Sequence, residues 1–98
     1  MAEATSYAAR AAVATERPER YAKQLVSHLG RKAEVREEPE GSRLVIGEAS
    51  CLVVPGEGVL ELRAEASSED GLALVQNVVG GHLVRFGEKD ELVVTWTS

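Results

Sequence analysis

The spacing of apolar residues changes its period along this chain, and this restricts the fold more than any other feature. Apolar residues recur at helical spacing over residues 18–29 and again over 67–86. Before, between and after these stretches, apolar and polar residues alternate with a period of two, which is typical of strands with one solvent-exposed face. Each kind of element must bury its apolar side against another, so we expect both helices on the same face of one sheet.

The sequence predicts an α+β two-layer sandwich, with two helices on one face of a mainly antiparallel sheet and the order β-α-β-β-β-β-α-β. We expect Pro18 at the first position of the first helix and Gly30 as its left-handed cap. Ser67 and Asp70 stand at capping-box spacing before the second helix. Glycines between the strands are expected to take positive φ in tight turns. The predicted strands cover residues 6–14, 33–37, 43–46, 49–54, 59–66 and 91–96.

The length and composition indicate one domain. The 98 residues are taken as a single domain, residues 1–98, with its core over about residues 6–97. Cys51 is the only cysteine, so it forms no internal disulfide, and we expect it to be a small core residue. The amino terminus lacks a signal-peptide pattern and no apolar run is long enough to span a bilayer, so a cytoplasmic protein with no membrane partner is expected.

The charge of the chain weighs against nucleic-acid binding. The formal net charge is −5, whereas nucleic-acid affinity comes mainly from lysine and arginine. Only 4% of the residues are aromatic, which leaves few side chains for base stacking. The charge is uneven, since residues 1–43 carry eight basic and seven acidic side chains and the remainder carries three and nine. An unknown small molecule or protein, with no nucleic acid, is therefore the expected partner, and an anionic ligand would suit the basic first half.

Two histidines, His28 and His82, border the apolar faces of the two predicted helices. Antiparallel helices would place them near opposite ends, roughly 15 Å apart, and a metal site would also need a third ligand, so we predict no metal and no cofactor. The histidines are either structural, hydrogen-bonded to backbone, or the general acid or base of a small enzyme. Ser27 projects about 100° away from His28, so no catalytic residue is assigned.

Gly80 and Gly81 are unusual because each glycine inside a helix costs roughly 1 kcal/mol relative to alanine. Close contact with the sheet or with the first helix would compensate, and so would room for a ligand or partner. A further alternative is a self-associating structural module, in which an edge strand or the Gly80-Gly81 surface pairs with a second copy. The expected state is a monomer or a weak homodimer.

Two parts of the chain carry a family resemblance. The first runs RPERYAKQLVSHLGRK over residues 17–32, and the second comprises HLVRF over residues 82–86 with the trailing ELVVTW over residues 91–96. The chain resembles the bacterial domain of unknown function 2218 family, from about Tyr7 to Trp96. The resemblance implies a small bacterial protein, and some members of the family are encoded among iron and siderophore uptake functions.

The resemblance also implies candidate ligand-binding residues, because the recurrent polar positions of the family fall on His28, Lys32, His82 and Arg85. Secondary candidates are Arg31, Gly80 and Gly81. Leu29 stands where relatives often carry an aromatic residue, which argues against a stacking contact there. We expect a non-catalytic binding or accessory protein for an anionic ligand or a partner protein in iron or siderophore metabolism.

Overall fold

The alternating segments form one five-stranded antiparallel sheet in the computed structural model, which describes residues 6–97. The elements are β1 (Tyr7–Ala14), α1 (Pro18–Leu29), β2 (Glu34–Glu38), β3 (Gly41–Ile46), β4 (Ala49–Pro55), β5 (Val59–Ala66) and α2 (Glu69–Phe86). The strand order is β1-β5-β4-β3-β2, and each neighbouring pair is antiparallel. The bounds of these five strands differ from the predicted ones by at most two residues.

Both helices cover the same face of the sheet. Helix α1 packs on β3, β4 and β5, and α2 packs on β1, β4 and β5. Leu25 of α1 and Val79 of α2 have no exposed surface, and they join Cys51, Leu60 and Leu62 of the sheet in one apolar core. The predicted α+β fold, with two helices on one sheet face, is confirmed.

The predicted sixth strand over residues 91–96 is wrong. A short 3-10 turn, Glu88–Asp90, follows α2, and Glu91 takes a left-handed conformation with φ of 56°. The chain then runs without regular secondary structure to a single bridge, in which the N–H groups of Arg10 and Thr97 donate to each other's carbonyls at 2.8 and 2.9 Å. The element order of the described residues is therefore β-α-β-β-β-β-α.

The apolar alternation that predicted this strand comes from packing on a helix. A Cβ added at Gly87 would collide with the side chain of Leu92, and one added at Gly80 would lie 3.3 Å from Trp96 and 3.5 Å from Val94. The segment after the 3-10 turn therefore lies against α2, with Val94 and Trp96 beside Gly80 and Leu92 beside the cap residue Gly87.

The glycine turns are confirmed in part. Gly47 and Gly58 have φ of 62° and 69°, as tight turns between strands require. Gly30, Gly41 and Gly56 do not have positive φ. Gly30 keeps a right-handed helical conformation, with φ of −64°, because its N–H still bonds a carbonyl of α1. Gly41 instead belongs to β3, where a Cβ would collide with the carbonyl oxygen of Val53 in β4.

The start of α2 lies one residue later than predicted. Ser68, in an extended conformation with φ of −143°, caps the helix, and its hydroxyl accepts a hydrogen bond from the Gly71 N–H at 3.0 Å. Ser67 instead hydrogen-bonds Glu48 at the end of the β3–β4 turn. The predicted pairing of Ser67 with Asp70 is therefore replaced by a simple serine cap.

The outer face of the sheet carries a row of arginines. Arg36, Arg43, Leu52, Arg63 and Arg10 stand in register across all five strands, and Leu52 is 2% exposed between two of the arginines. Like charges directly opposite each other destabilise a sheet, so this row needs counter-charges.

Glutamates on the same side of the molecule supply them. Glu34 lies 2.6 Å from Arg36, Glu38 lies 2.6 Å from Arg43, and Glu61 lies 3.1 Å from Arg63. The guanidinium in each pair lowers the pKa of its carboxylate below the ordinary value, chiefly through the hydrogen bond.

No helix within residues 6–97 is long and apolar enough to cross a membrane.

Candidate functional site

A cavity of about 410 Å³ opens beside the carboxyl end of α1, and we call it the basic cavity. Its lining comes from the end of α1, the loop that follows, the end of β3 and the middle of α2. The basic part of the lining is His28, Arg31, Lys32 and His82, and the apolar part is Leu29, Ala33, Ile46 and Val78. None of the residues within 6–97 that line the cavity is acidic.

The two histidines lie side by side. The ring centroids of His28 and His82 are 5.0 Å apart, and the ring planes are tilted by 44°. Phe86 presents an edge contact to His28, with centroids 5.3 Å apart, and lies 6.1 Å from His82. The predicted separation of roughly 15 Å is therefore wrong.

The error came from the relative position of the helices and not from their direction. The helices do run in opposite directions. His28, near the end of α1, lies beside His82 of α2. Tyr21, near the beginning of α1, donates a hydrogen bond at 2.5 Å to Asp90, which follows the end of α2. Helix α2 has 18 residues and α1 has 12, a difference of about 9 Å in length at 1.5 Å per residue. The ends are not level, so the end of α1 meets the second half of α2.

His82 is held in one orientation by its own helix. Its Nδ1 lies 2.6 Å from the carbonyl oxygen of Val78, one turn earlier. Because a carbonyl only accepts, Nδ1 carries the proton in this contact, and in the neutral ring the lone pair is on Nε2. His82 is half-buried, whereas His28 is exposed. His82 therefore has a fixed ring and a free nitrogen.

Positive charge around the basic cavity is not neutralised by the described residues. Arg31 and Lys32 are exposed and form no ion pair within residues 6–97. Glu34, the next acidic residue along the chain, is already bound to Arg36, and this contact raises the pKa of the guanidinium. The cavity therefore presents unpaired cations above an apolar floor.

Three of the predicted site residues lie outside this cavity. Arg85 is exposed and does not contribute to the lining. The atoms nearest to a Cβ added at Gly80 belong to Trp96 and Val94, whereas the predicted contact was with the sheet or α1. A Cβ added at Gly81 would have no neighbour within 4 Å. The structure thus brings His28, Arg31, Lys32 and His82 together and leaves Arg85, Gly80 and Gly81 apart.

Sequence reasoning missed the apolar floor. The sequence predicted Ile46 as the end of one strand and Ala33 as the start of another. The spacing of these residues does not indicate that they lie near α2. Val78 had a usable signal, because it precedes His82 by four residues and so lies on the same helix face.

Other reactive groups are unsuited to chemistry at this site. Cys51 has no exposed surface, and burial raises the pKa of its thiol to about 12, so the thiolate is scarce at neutral pH. The hydrogen bond to Asp90 raises the pKa of Tyr21. Residues 6–97 hold no group of three or more histidine, cysteine, aspartate or glutamate side chains placed to bind a metal ion.

The fold and the cavity define a small α+β sandwich protein with a basic cavity on its helical side. Residues 10–97 match the family described as "Uncharacterized protein conserved in bacteria (DUF2218)", and the chain belongs to this family. The chain is similar to PA4090 from Pseudomonas aeruginosa, whose structure was determined by NMR. The two are 31% identical with a TM-score of 0.77, over 93% of this chain and 95% of that one. A comparison with curated proteins gives no match.

Proposed function

We propose that the protein binds a small anionic molecule in the basic cavity and does not transform it. One observation supports this most directly: His28 and His82, from separate helices, lie 5.0 Å apart beside Arg31 and Lys32. Two arginine and lysine cations and two imidazoles, with no carboxylate among the described residues of the lining, form a suitable setting for an anion.

The lining also indicates the shape of the ligand. Arginine binds carboxylate or phosphate through two parallel hydrogen bonds, lysine supplies a point charge, and imidazole N–H groups donate further bonds. The floor of Leu29, Ala33, Ile46 and Val78 would cover an apolar or aromatic body. A volume of about 410 Å³ lies within the range of small-molecule sites, roughly 300–1,000 Å³. The ligand we propose therefore has an anionic head and a small apolar body.

The family resemblance suggests where to begin. Because some relatives are encoded among iron and siderophore uptake functions, we propose a cytoplasmic ligand of that metabolism, with a carboxylate or a catechol as its polar group. Benzoate, 2,3-dihydroxybenzoate and inorganic phosphate separate the contribution of the apolar body from that of the charge.

The test is a titration of the full chain with each of these three compounds, in which backbone amide chemical shifts report binding. We expect benzoate and 2,3-dihydroxybenzoate to shift residues 28–33 and 78–82 and to bind more tightly than phosphate. Lys32→Ala and His28→Ala should each weaken binding about tenfold, the loss expected for one hydrogen bond to a charged group.

Lys23→Ala is the matched control, because Lys23 is an exposed cation of α1 that does not line the basic cavity. Its affinity should equal that of the wild type. Equal affinity in Lys32→Ala, His28→Ala and the wild type would contradict the proposal, and so would shifts confined to another part of the protein.

A second candidate function is a small enzyme in which His82 is the general base. The fixed Nδ1 proton favours it, because the hydrogen bond to Val78 leaves Nε2 as an acceptor at a half-buried position beside the cavity. Turnover of a bound ester or phosphate ester that disappears in His82→Ala would support this function, and binding without turnover would leave the first proposal in place.

A further inference from the structure

We infer that His28 and His82 form a two-histidine site for a divalent transition-metal ion, whose remaining coordination positions face the basic cavity and accept donor atoms of the anionic ligand. The metal site stands on the geometry of the two rings. The role of the anionic ligand rests on the proposed function.

The ring separation fits two ligands of one ion. A nitrogen–metal bond of about 2.1 Å, with about 1.1 Å from the nitrogen to the ring centre, holds each centroid about 3.2 Å from the ion. Two such rings at a tetrahedral angle have centroids about 5.2 Å apart, and at a right angle about 4.5 Å. The observed 5.0 Å lies between these values. The tilt of 44° does not distinguish the two geometries, because coordination of a metal through one nitrogen places no limit on the angle between the two ring planes.

The environment of His82 is that of a metal ligand. Metal-bound histidines almost always donate their other N–H to a carbonyl or carboxylate, which fixes the tautomer and the ring orientation. His82 makes this contact to the Val78 carbonyl at 2.6 Å, and so its Nε2 is the nitrogen left for an ion. Phe86 meets His28 in a T-shaped contact, with the ring planes 80° apart, so the second histidine is also packed on one side.

The anionic ligand supplies the coordination that two histidines leave open, because Arg31 and Lys32 attract it to the cavity. Arg31 and Lys32 line the same cavity and oppose a bare cation, so the ion alone should bind weakly. Because neither Arg31 nor Lys32 is a ligand of the ion, both remain available to an anion in the same cavity. Imidazole ligands suit Cu²⁺, Ni²⁺ and Zn²⁺ better than Mg²⁺ or Ca²⁺, which prefer oxygen.

The sequence makes the site simple to test, because the chain has two histidines in all. Any imidazole bound to a metal must be His28 or His82. The measurement is a titration of the full chain with Cu²⁺ alone in a non-coordinating buffer, combined with electron paramagnetic resonance, which counts the bound imidazole nitrogens. We expect one Cu²⁺ with two imidazole nitrogens.

His28→Ala and His82→Ala should each reduce Cu²⁺ affinity by about tenfold or more and leave one imidazole nitrogen. His82→Gln is the second variant at the half-buried position, where it retains most of the side-chain volume. A wild-type spectrum with a single nitrogen would overturn the site, and so would unchanged affinity in both folded single variants.

Arg31→Ala with Lys32→Ala separates this inference from the proposed function. Removal of the two cations should raise the affinity for Cu²⁺ alone and lower the affinity for benzoate without metal. Loss of benzoate binding with Cu²⁺ binding unchanged or stronger leaves the metal site intact. If wild-type benzoate binding is absent while two nitrogens bind Cu²⁺, the anion proposal fails and the metal site stands.

Discussion

At the scale of single residues, Gly80 and Gly81 are adjacent but have different surroundings. A Cβ at Gly81 would meet nothing within 4 Å, whereas one at Gly80 would lie 3.3 Å from Nε1 of Trp96. We expect Gly81→Ala to raise the free energy of unfolding by about 0.5–1 kcal/mol through helix propensity. Gly80→Ala should gain less, because Trp96 must shift. Urea unfolding followed by the fluorescence of Trp96, the only tryptophan, measures both variants. Equal gains would contradict this account.

The candidate site illustrates what single residues predict. The spacing of His28 and His82 predicted that each borders the apolar face of its helix, because side-chain direction repeats with the helical period. In the structure His82 is half-buried and His28 is exposed. Their contact depends on how far α1 extends along α2, and no residue in either helix encodes that offset by itself. Gly80 was a signal of close packing, but its partner, Trp96, lies on a segment that was predicted to pair with the sheet.

At the scale of elements, the start of α2 depends on one serine. Ser68→Ala removes the acceptor for the Gly71 N–H and should lower the free energy of unfolding by about 1 kcal/mol. Ser67→Ala is the control, since Ser67 is exposed and its contact is with Glu48, outside the helix. Urea unfolding of both variants measures the difference. A larger loss in Ser67→Ala would restore the predicted capping box with Asp70.

Element types were predictable, but the role of the last segment was not. Strand β5 alternates cleanly because one of its faces is in the core, and its predicted bounds match the structure. Residues 91–96 alternate in the same way, yet the surface they contact is α2. A period of two shows only that one side of an extended chain is covered, so the identity of the covering element requires tertiary structure.

At the scale of the whole molecule, the ion pairs of the arginine row make the free energy of unfolding depend on pH. The pKa values of Glu38 and Glu61 are lowered in the folded state from an ordinary value of 4.5. The unfolded chain therefore binds more protons below that pH, so the stabilisation is present above about pH 4.5 and is lost as the pH falls through the lowered values. These pairs are partly exposed, so the effect should be modest and weaker in high salt.

Urea midpoints from about pH 6 to about pH 3 at low salt measure this dependence. Glu38→Gln with Glu61→Gln should flatten the decline relative to the wild type. Glu57→Gln is the control, because Glu57 lies in the β4–β5 turn and forms no ion pair among the described residues. An identical pH profile in the double variant would contradict the assignment.

The difference in length between α1 and α2 has a consequence for what this architecture can hold. The basic cavity occupies the space above the sheet that α1, ending at Leu29, does not reach. The volume available to a ligand therefore depends on the residue at which α1 ends more than on the side chains that line the cavity. One extra turn of α1, about 5.4 Å, would fill that space without any change to the two histidines. Insertions or deletions near Gly30 are therefore the changes that would alter the volume of the basic cavity.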